Sequence, residues 1–141
     1  MSVLVDTSVW SLALRRQKAG HSAFQAIVVA ELDNLILEGQ VQIIGPIRQE
    51  LLSGAKSAAA LIKLRDHLRE FEDLPLDSAV YERAAEMDFR CRQKGIHGTP
   101  TDLLICAAAI AADLSIFSVD SDFLSVQRLF PLRIHSVPGH P

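Results

Sequence analysis

The chain is poor in the features that mark secreted, membrane-spanning or strongly basic proteins. Its two cysteines, Cys91 and Cys106, lie far apart and form no C-x-x-C motif, which argues against a disulfide scaffold. The uncharged apolar run at 103–112 is about half of the ~20 residues that span a bilayer. Asp6 interrupts the N-terminal apolar stretch too early for a secretory signal. We therefore expect a cytoplasmic protein with no membrane segment.

Several chemical signatures are missing as well. The five histidines show no H-x-x-x-H pair or other zinc spacing, and there is no G-x-x-x-x-G-K-[ST] phosphate loop. His97 is expected to be a solvated loop residue. The net charge is −3, so the whole chain is not a polycation and any nucleic-acid footprint must be local. These absences disfavour zinc sites, P-loop enzymes and binding of nucleic acid by overall charge.

The residues that are present predict one domain over 1–137, followed by a C-terminal tail at 138–141. The 141 residues are 49% apolar, which is enough to form a core without disulfides. Strands are predicted at 3–6, at 41–44 and within SIFSVD and LRIHSV, and helices include 57–71, 78–94 and 102–113. This alternation predicts an α/β sandwich of three layers, with a mostly parallel central sheet flanked by helices.

Four acids occur where such a fold can bring them together. Asp6 and Asp120 end predicted strands, and the carboxyl ends of parallel strands form the ligand-binding edge of an open sheet. Asp102 begins a nearly apolar helix, and Glu50 follows Pro46 in an early helical turn. Taken singly, each has an ordinary alternative: a helix cap or dipole partner for the aspartates, and a solvated surface position for Glu50.

Convergence of these acids would require a cation. At about 5 Å and an effective dielectric near 20, each pair of like charges costs roughly 3 kcal/mol. Oxygen-only ligands favour Mg²⁺, with Mn²⁺ as an alternative. Such an ion can activate water and offset the charge that develops on a phosphodiester. The set of acids, rather than any one of them, therefore indicates phosphodiester chemistry.

Four segments resemble the acid motifs of the PIN-domain ribonucleases: VLVDTSVW at 3–10, QELLSG at 49–54, TDLLICAAAI at 101–110 and FSVDSDF at 117–123. Their order and spacing are most similar to VapC-type toxins of bacterial type II toxin–antitoxin modules, over essentially the whole chain. The resemblance implies a PIN-like fold and a supporting hydroxyl at Ser8. It also implies a catalytic and metal-binding set, which comprises Asp6, Glu50, Asp102 and Asp120. It leaves open how Asp120 and Asp122 share their role.

The implied activity is divalent-metal-dependent cleavage of RNA by a toxin whose site a cognate antitoxin covers. Asp6 and Asp102 would be the main ligands, and Glu50 would complete the site or help to activate water. Asp120 would hold a second ion or an outer water. A homodimer is typical of such toxins. The apolar segment 23–37 is either an antitoxin-docking surface or part of the core, and the sequence does not separate the two.

Two basic clusters flank the predicted acidic site. Arg15, Arg16 and Lys18 follow the first helix and are candidates for binding RNA phosphates, with helix C-terminal cations as the alternative. For the cluster at 90–94 the alternative is favoured, because cations at the end of a helix complement its dipole. Trp10 could stack on a base, but its place on the apolar face of the first helix favours the core.

Two other functional classes stay open. One is a catalytically inactive PIN-like module that binds RNA or acts as a scaffold, although that role would not require all four acids. The other is a phosphoacceptor domain that uses Asp6, but such folds need a lysine near the later strand ends and no lysine follows Lys94. Asp6→Asn separates the cases, since it would abolish covalent phosphate in a phosphoacceptor and metal-dependent RNA cleavage in a nuclease.

Overall fold

A computed structural model describes residues 2–14 and 20–137 of the chain. One or more helices separate each strand from the next along these ranges, and the strands form a parallel sheet, which confirms the predicted α/β fold class. The strands are β1 (Val3–Val5), β2 (Val41–Gln42), β3 (Ser115–Phe117) and β4 (Arg133–Ile134). The helices are α1 (Thr7–Leu14), α2 (Ala23–Leu37), α3 (Gly45–Ser53), α4 (Ala58–Leu68), α5 (Ser78–Gln93), α6 (Pro100–Ala112) and α7 (Asp122–Gln127). The predicted tail at 138–141 lies outside the described residues.

The strands form one parallel sheet in the order β2-β1-β3-β4. β1 pairs with β2 on one side and with β3 on the other, and Val5 lies opposite Phe117 at the carboxyl end of that second pair. The chain thus extends the sheet from β1 first in one direction and then in the other. Such a reversal opens a crevice at the carboxyl ends of the two central strands, where open α/β sheets bind ligands.

Helix α6 brings a further acid toward this crevice. Residues 103–109 are all buried, so apolar burial places the helix in the core. At its N-terminus the Thr99 hydroxyl accepts a hydrogen bond from the Asp102 backbone N–H, and the Asp102 carboxylate accepts one from the Thr99 backbone N–H, both at 3.1 Å. This capping box begins the helix at Pro100, slightly before the predicted start at 102.

Helix α5 has nearly its predicted limits because both of its ends are encoded locally. The Asp77 carboxylate accepts a hydrogen bond from the Val80 backbone N–H at 3.1 Å and so caps the start. At the other end Gly95 has a φ of +68°, a left-handed conformation that glycine adopts without a steric penalty. This end leads through a short loop into α6, and the two helices pack along each other.

Helix α4 is shorter than the predicted segment 57–71 because Arg48 closes its C-terminal end. The Arg48 guanidinium donates hydrogen bonds to the carbonyls of Leu68 and Phe71 and pairs with Asp73 at 2.9 Å. These bonds satisfy carbonyl groups that another helical turn would otherwise have used. The chain therefore leaves the helix at Leu68 and turns back toward the sheet.

The core confirms the prediction for Trp10, which is buried and meets Phe71 edge-on with 5.2 Å between the ring centroids. One face of α2 is part of the same core, whereas Phe24 and Leu37 on that helix remain exposed. One side of segment 23–37 therefore packs in the core.

No helix in the described ranges has the length and apolar character needed to cross a bilayer.

Candidate active site

Asp6 and Ser118 lie side by side at the crevice, because each follows one residue of the last β1–β3 pair. Val5 pairs with Phe117, and the Asp6 backbone N–H donates to the Phe117 carbonyl at 2.9 Å. Asp6 is only 6% exposed. Its Oδ2 atom accepts hydrogen bonds from the hydroxyls of Ser8, at 2.7 Å, and Ser118, at 2.8 Å. The two bonds hold this carboxylate in one orientation.

Three more carboxylates form a second part of the site, which we call the three-acid group: Asp102, Asp120 and Asp122. They come from the first turn of α6, the loop after β3 and the start of α7. One oxygen from each lies within 4.8 Å of the others. The Asp120 carboxylate also accepts a hydrogen bond from the Asp122 backbone N–H at 2.9 Å, which keeps these two acids in one turn. Asp120 is exposed, so the group opens to solvent.

The crowding of negative charge changes the acidity of Asp102. Burial raises the pKa of the Asp102 carboxyl, and the charges of Asp6 and Asp120 raise it further, whereas hydrogen bonds with Thr99 oppose the rise. The ionised form is therefore disfavoured at this position in the metal-free protein. A positive charge among these oxygens would favour the ionised form again.

Glu50 is tied to the same edge from α3. The Thr7 hydroxyl donates a hydrogen bond to Oε2 of Glu50 at 3.1 Å, and Thr7 directly follows Asp6 in the chain. The Glu50 side chain is exposed and has more freedom than that of Asp6. Within the described residues, the acids that meet within 4.8 Å are those of the three-acid group, and they include neither Glu50 nor Asp6.

The residues that lie together in the structure are not those that the prediction grouped as main ligands and supporting residues. Asp122, predicted as a supporting residue, stands with Asp102 and Asp120, while Asp6 is held by serines. Ser8 contacts the Asp6 carboxylate, where a supporting hydroxyl would act. Sequence reasoning missed Ser118, and the available signal was a hydroxyl residue two positions before Asp120 near the end of the predicted strand SIFSVD.

The structure describes only part of the predicted basic residues. Arg15, Arg16 and Lys18 lie outside the described residues. The Arg90 guanidinium stacks over the Phe130 ring, 4.8 Å from its centroid. At the mouth of the site, His97 is exposed, and its Nε2 atom lies 3.9 Å from Oδ2 of Asp122.

Comparison with known proteins assigns the family. The PIN domain family matches residues 3–129, and the chain therefore belongs to it. This match and the structural similarities below confirm the predicted resemblance to PIN-domain proteins of the VapC type. Among curated protein sequences, no match was found.

Several crystal structures contain chains with a similar fold. FitAcB from Neisseria gonorrhoeae has 26% identity and a TM-score of 0.74, over 95% of this chain and 96% of that chain. VapBC2 from Rickettsia felis, bound to a DNA fragment from its promoter, has 21% identity and a TM-score of 0.72, over 96% of this chain and 98% of that chain. VapBC-5 from Mycobacterium tuberculosis has 18% identity and a TM-score of 0.64, over 95% and 98%.

Proposed function

We propose that this PIN-domain protein is a divalent-metal-dependent endoribonuclease and the toxin of a toxin–antitoxin pair. The observation that carries the proposal is the three-acid group at the carboxyl edge of the sheet, with buried Asp6 beside it. Open parallel sheets bind ligands at this edge. A group of carboxylates in such a position supports hydrolysis of a phosphodiester more directly than a structural or scaffold role.

The donor set fits a hard divalent cation. Every candidate ligand is a carboxylate oxygen, and oxygen ligands favour Mg²⁺ and Mn²⁺ over softer ions. Burial raises the pKa of Asp102, and the charges of Asp6 and Asp120 raise it further, so the acids of the site repel one another. A cation held by these oxygens would offset that repulsion, so the residues present fit the ion that the family resemblance implies.

Each acid would have a distinct task in this reaction. Bound Mg²⁺, or Mn²⁺ in its place, would activate water and neutralise the charge that builds on the phosphodiester. Asp102, Asp120 and Asp122 would each supply an oxygen ligand from one side. Asp6, oriented by its serine partners, would supply a ligand from the sheet. Glu50 would complete the site from α3 or orient the attacking water.

The structural comparisons support an antitoxin as one of the proposed partners. VapBC-5 belongs to a family of toxin–antitoxin systems, and a similar chain from Klebsiella pneumoniae comes from a toxin–antitoxin complex. We extend that arrangement to this protein and expect a cognate antitoxin that covers the acidic site. The proposal also includes a homodimer and a cytoplasmic location, where the RNA substrate is present.

The first experiment measures cleavage of total cellular RNA by protein purified free of any co-expressed partner. The wild type is compared with Asp6→Asn and Asp102→Asn in Mg²⁺, in Mn²⁺ and in EDTA. Asp33→Asn is the matched control, because Asp33 is an exposed acid on α2 outside the site. We expect metal-dependent cleavage by the wild type and the control, and its loss in both site variants.

Three results would contradict the proposal. Cleavage that persists in EDTA would exclude the metal-dependent reaction, and cleavage that survives both site substitutions would place the active site elsewhere. If the folded wild type cleaves no RNA in either metal, an inactive binding or scaffold module becomes the better description of this PIN domain.

A further inference from the structure

Ser118 joins the two parts of the acidic site. Its hydroxyl donates a hydrogen bond to Oδ2 of Asp6 at 2.8 Å and accepts one from the Asp120 backbone N–H at 2.9 Å. Ser8 makes a parallel link, donating to the same Asp6 oxygen at 2.7 Å and accepting from the Val119 backbone N–H at 3.2 Å. We call these five residues the serine–Asp6 network.

The contacts of the network indicate which groups donate and which accept. A serine hydroxyl has one hydrogen to donate and lone pairs to accept. When both hydroxyls donate to Asp6, each still accepts one backbone N–H, and the 3.2 Å contact between the oxygens of Ser8 and Ser118 needs no hydrogen bond of its own. Each hydroxyl then donates one hydrogen bond and accepts one. The turn that carries Asp120 and Asp122 is thereby anchored to the Asp6 carboxylate.

We propose that Ser118 is a positioning residue that sets the placement of Asp6 relative to the three-acid group and so determines the affinity of the site for its divalent cation. This inference rests on the proposed function, since it needs a metal site. A hydroxyl that only stabilised the turn after β3 would require the bond to Asp120 alone. The second bond, to a carboxylate that is 6% exposed, has no such local purpose. Partners that orient metal ligands in this way typically change metal affinity by about 10–100-fold when they are removed.

The test compares Ser118→Val with Ser118→Thr, which are nearly equal in shape and differ in the hydroxyl. Mn²⁺ affinity is measured by calorimetry and electron paramagnetic resonance, without RNA, and the melting temperature is measured in EDTA. We expect Ser118→Val to weaken Mn²⁺ binding about 10-fold or more and Ser118→Thr to remain close to wild type. Ser121→Ala is the matched control, because Ser121 lies in the same turn and its side chain makes no capping hydrogen bond.

A double-mutant cycle with Asp6→Asn tests whether Ser118 acts through Asp6. If it does, Ser118→Val adds little to the loss of affinity that Asp6→Asn already causes, whereas a role confined to the turn gives additive losses. Equal Mn²⁺ affinities for Ser118→Val and Ser118→Thr, or additive losses in the cycle, would overturn this inference while leaving the proposed function intact. Unchanged Mn²⁺ binding by Asp6→Asn would overturn it as well, because Ser118 could then not act on the cation through Asp6. Absence of Mn²⁺ binding by the wild type would instead reject the metal site and with it the proposed function.

Discussion

The acidic site has two parts that differ in how their charges are held. Asp6 is buried at the end of a central strand, and two hydroxyl groups orient its carboxylate. The three-acid group comes from a helix N-terminus and a surface turn, and it opens to solvent at Asp120. Hydrogen bonds from hydroxyl groups therefore orient the Asp6 carboxylate, while the three-acid group brings carboxylates from two helices and a loop close to one another. We expect the first part to be organised before a cation binds and the second to depend on the cation.

The largest effect on RNA cleavage is expected from moving the carboxylate of Asp6. Asp6→Glu keeps the negative charge but displaces the carboxylate from its serine partners, and a misplacement of about 1 Å can cost about 100-fold in rate. Asp122→Glu, in the three-acid group, should reduce the rate clearly less because that side chain can adjust. Initial rates of RNA cleavage at saturating Mn²⁺ provide the measurement. Equal losses in the two variants would contradict the comparison.

A large effect on stability is expected from the cation itself. An ion that binds only the folded state at 100 times its dissociation constant stabilises it by about 2.7 kcal/mol, which corresponds to roughly 10 °C in melting temperature for a domain of this size. The double variant Asp102→Asn/Asp120→Asn should lose this increase, and Asp33→Asn should retain it. Thermal unfolding in Mn²⁺ and in EDTA measures both. If Mn²⁺ does not change the melting temperature of the wild type, the three-acid group holds no ion.

A smaller effect is expected at the link between Thr7 and Glu50. Thr7→Val removes one hydroxyl donor at 3.1 Å from an exposed carboxylate, and such a bond contributes about 0.5–1.5 kcal/mol. If Glu50 acts in cleavage, kcat should fall by about 2–10-fold, since 1.4 kcal/mol is a factor of ten. Thr7→Ser should restore it. A Thr7→Val enzyme with unchanged kcat would show that Glu50 needs no such anchor.

The smallest effect is expected for Asp102→Asn in the metal-free protein, and it is stabilising. The folded-state pKa of Asp102 is raised above its usual value of 3.8, so ionisation of this carboxyl opposes folding. Below pH 3.8 the carboxyl is neutral in both states, and the variant and the wild type should be equally stable. As the pH rises from there toward neutral, the wild type should become less stable relative to the variant. Melting temperatures in EDTA between pH 3 and 8 test the sign, and a variant that is less stable than the wild type at neutral pH would contradict it.

Local sequence signals were sufficient for the elements that carry the acids. A β-branched run before Asp6 predicts a strand that ends at the site, and the apolar run that follows Asp102 predicts a helix that begins there. These are near-neighbour effects, and the structure reproduces them with small differences in helix limits. The family resemblance added the fold, which the PIN match confirms.

Relations between distant segments could not be read from local patterns. The pairing of Val5 with Phe117 is what places Ser118 beside Asp6, and strand register is a property of the assembled sheet. The hydrogen bond between Thr7 and Glu50 likewise joins residues 43 positions apart. The grouping of Asp122 with Asp102 depends on the direction of the turn after β3. The prediction that Arg15, Arg16 and Lys18 bind RNA stays a prediction, because these residues lie outside the described ranges.

The shortness of the outer strands has a consequence for how the protein can be recognised. β2 and β4 stand at the two edges of the sheet and contain two residues each. Edges of this length offer few unpaired peptide groups, so they are poor templates for an added strand from another chain and protect against edge-to-edge aggregation. We therefore expect a protein partner to gain its affinity from side-chain contacts with the helices and the acidic crevice rather than by extending the sheet.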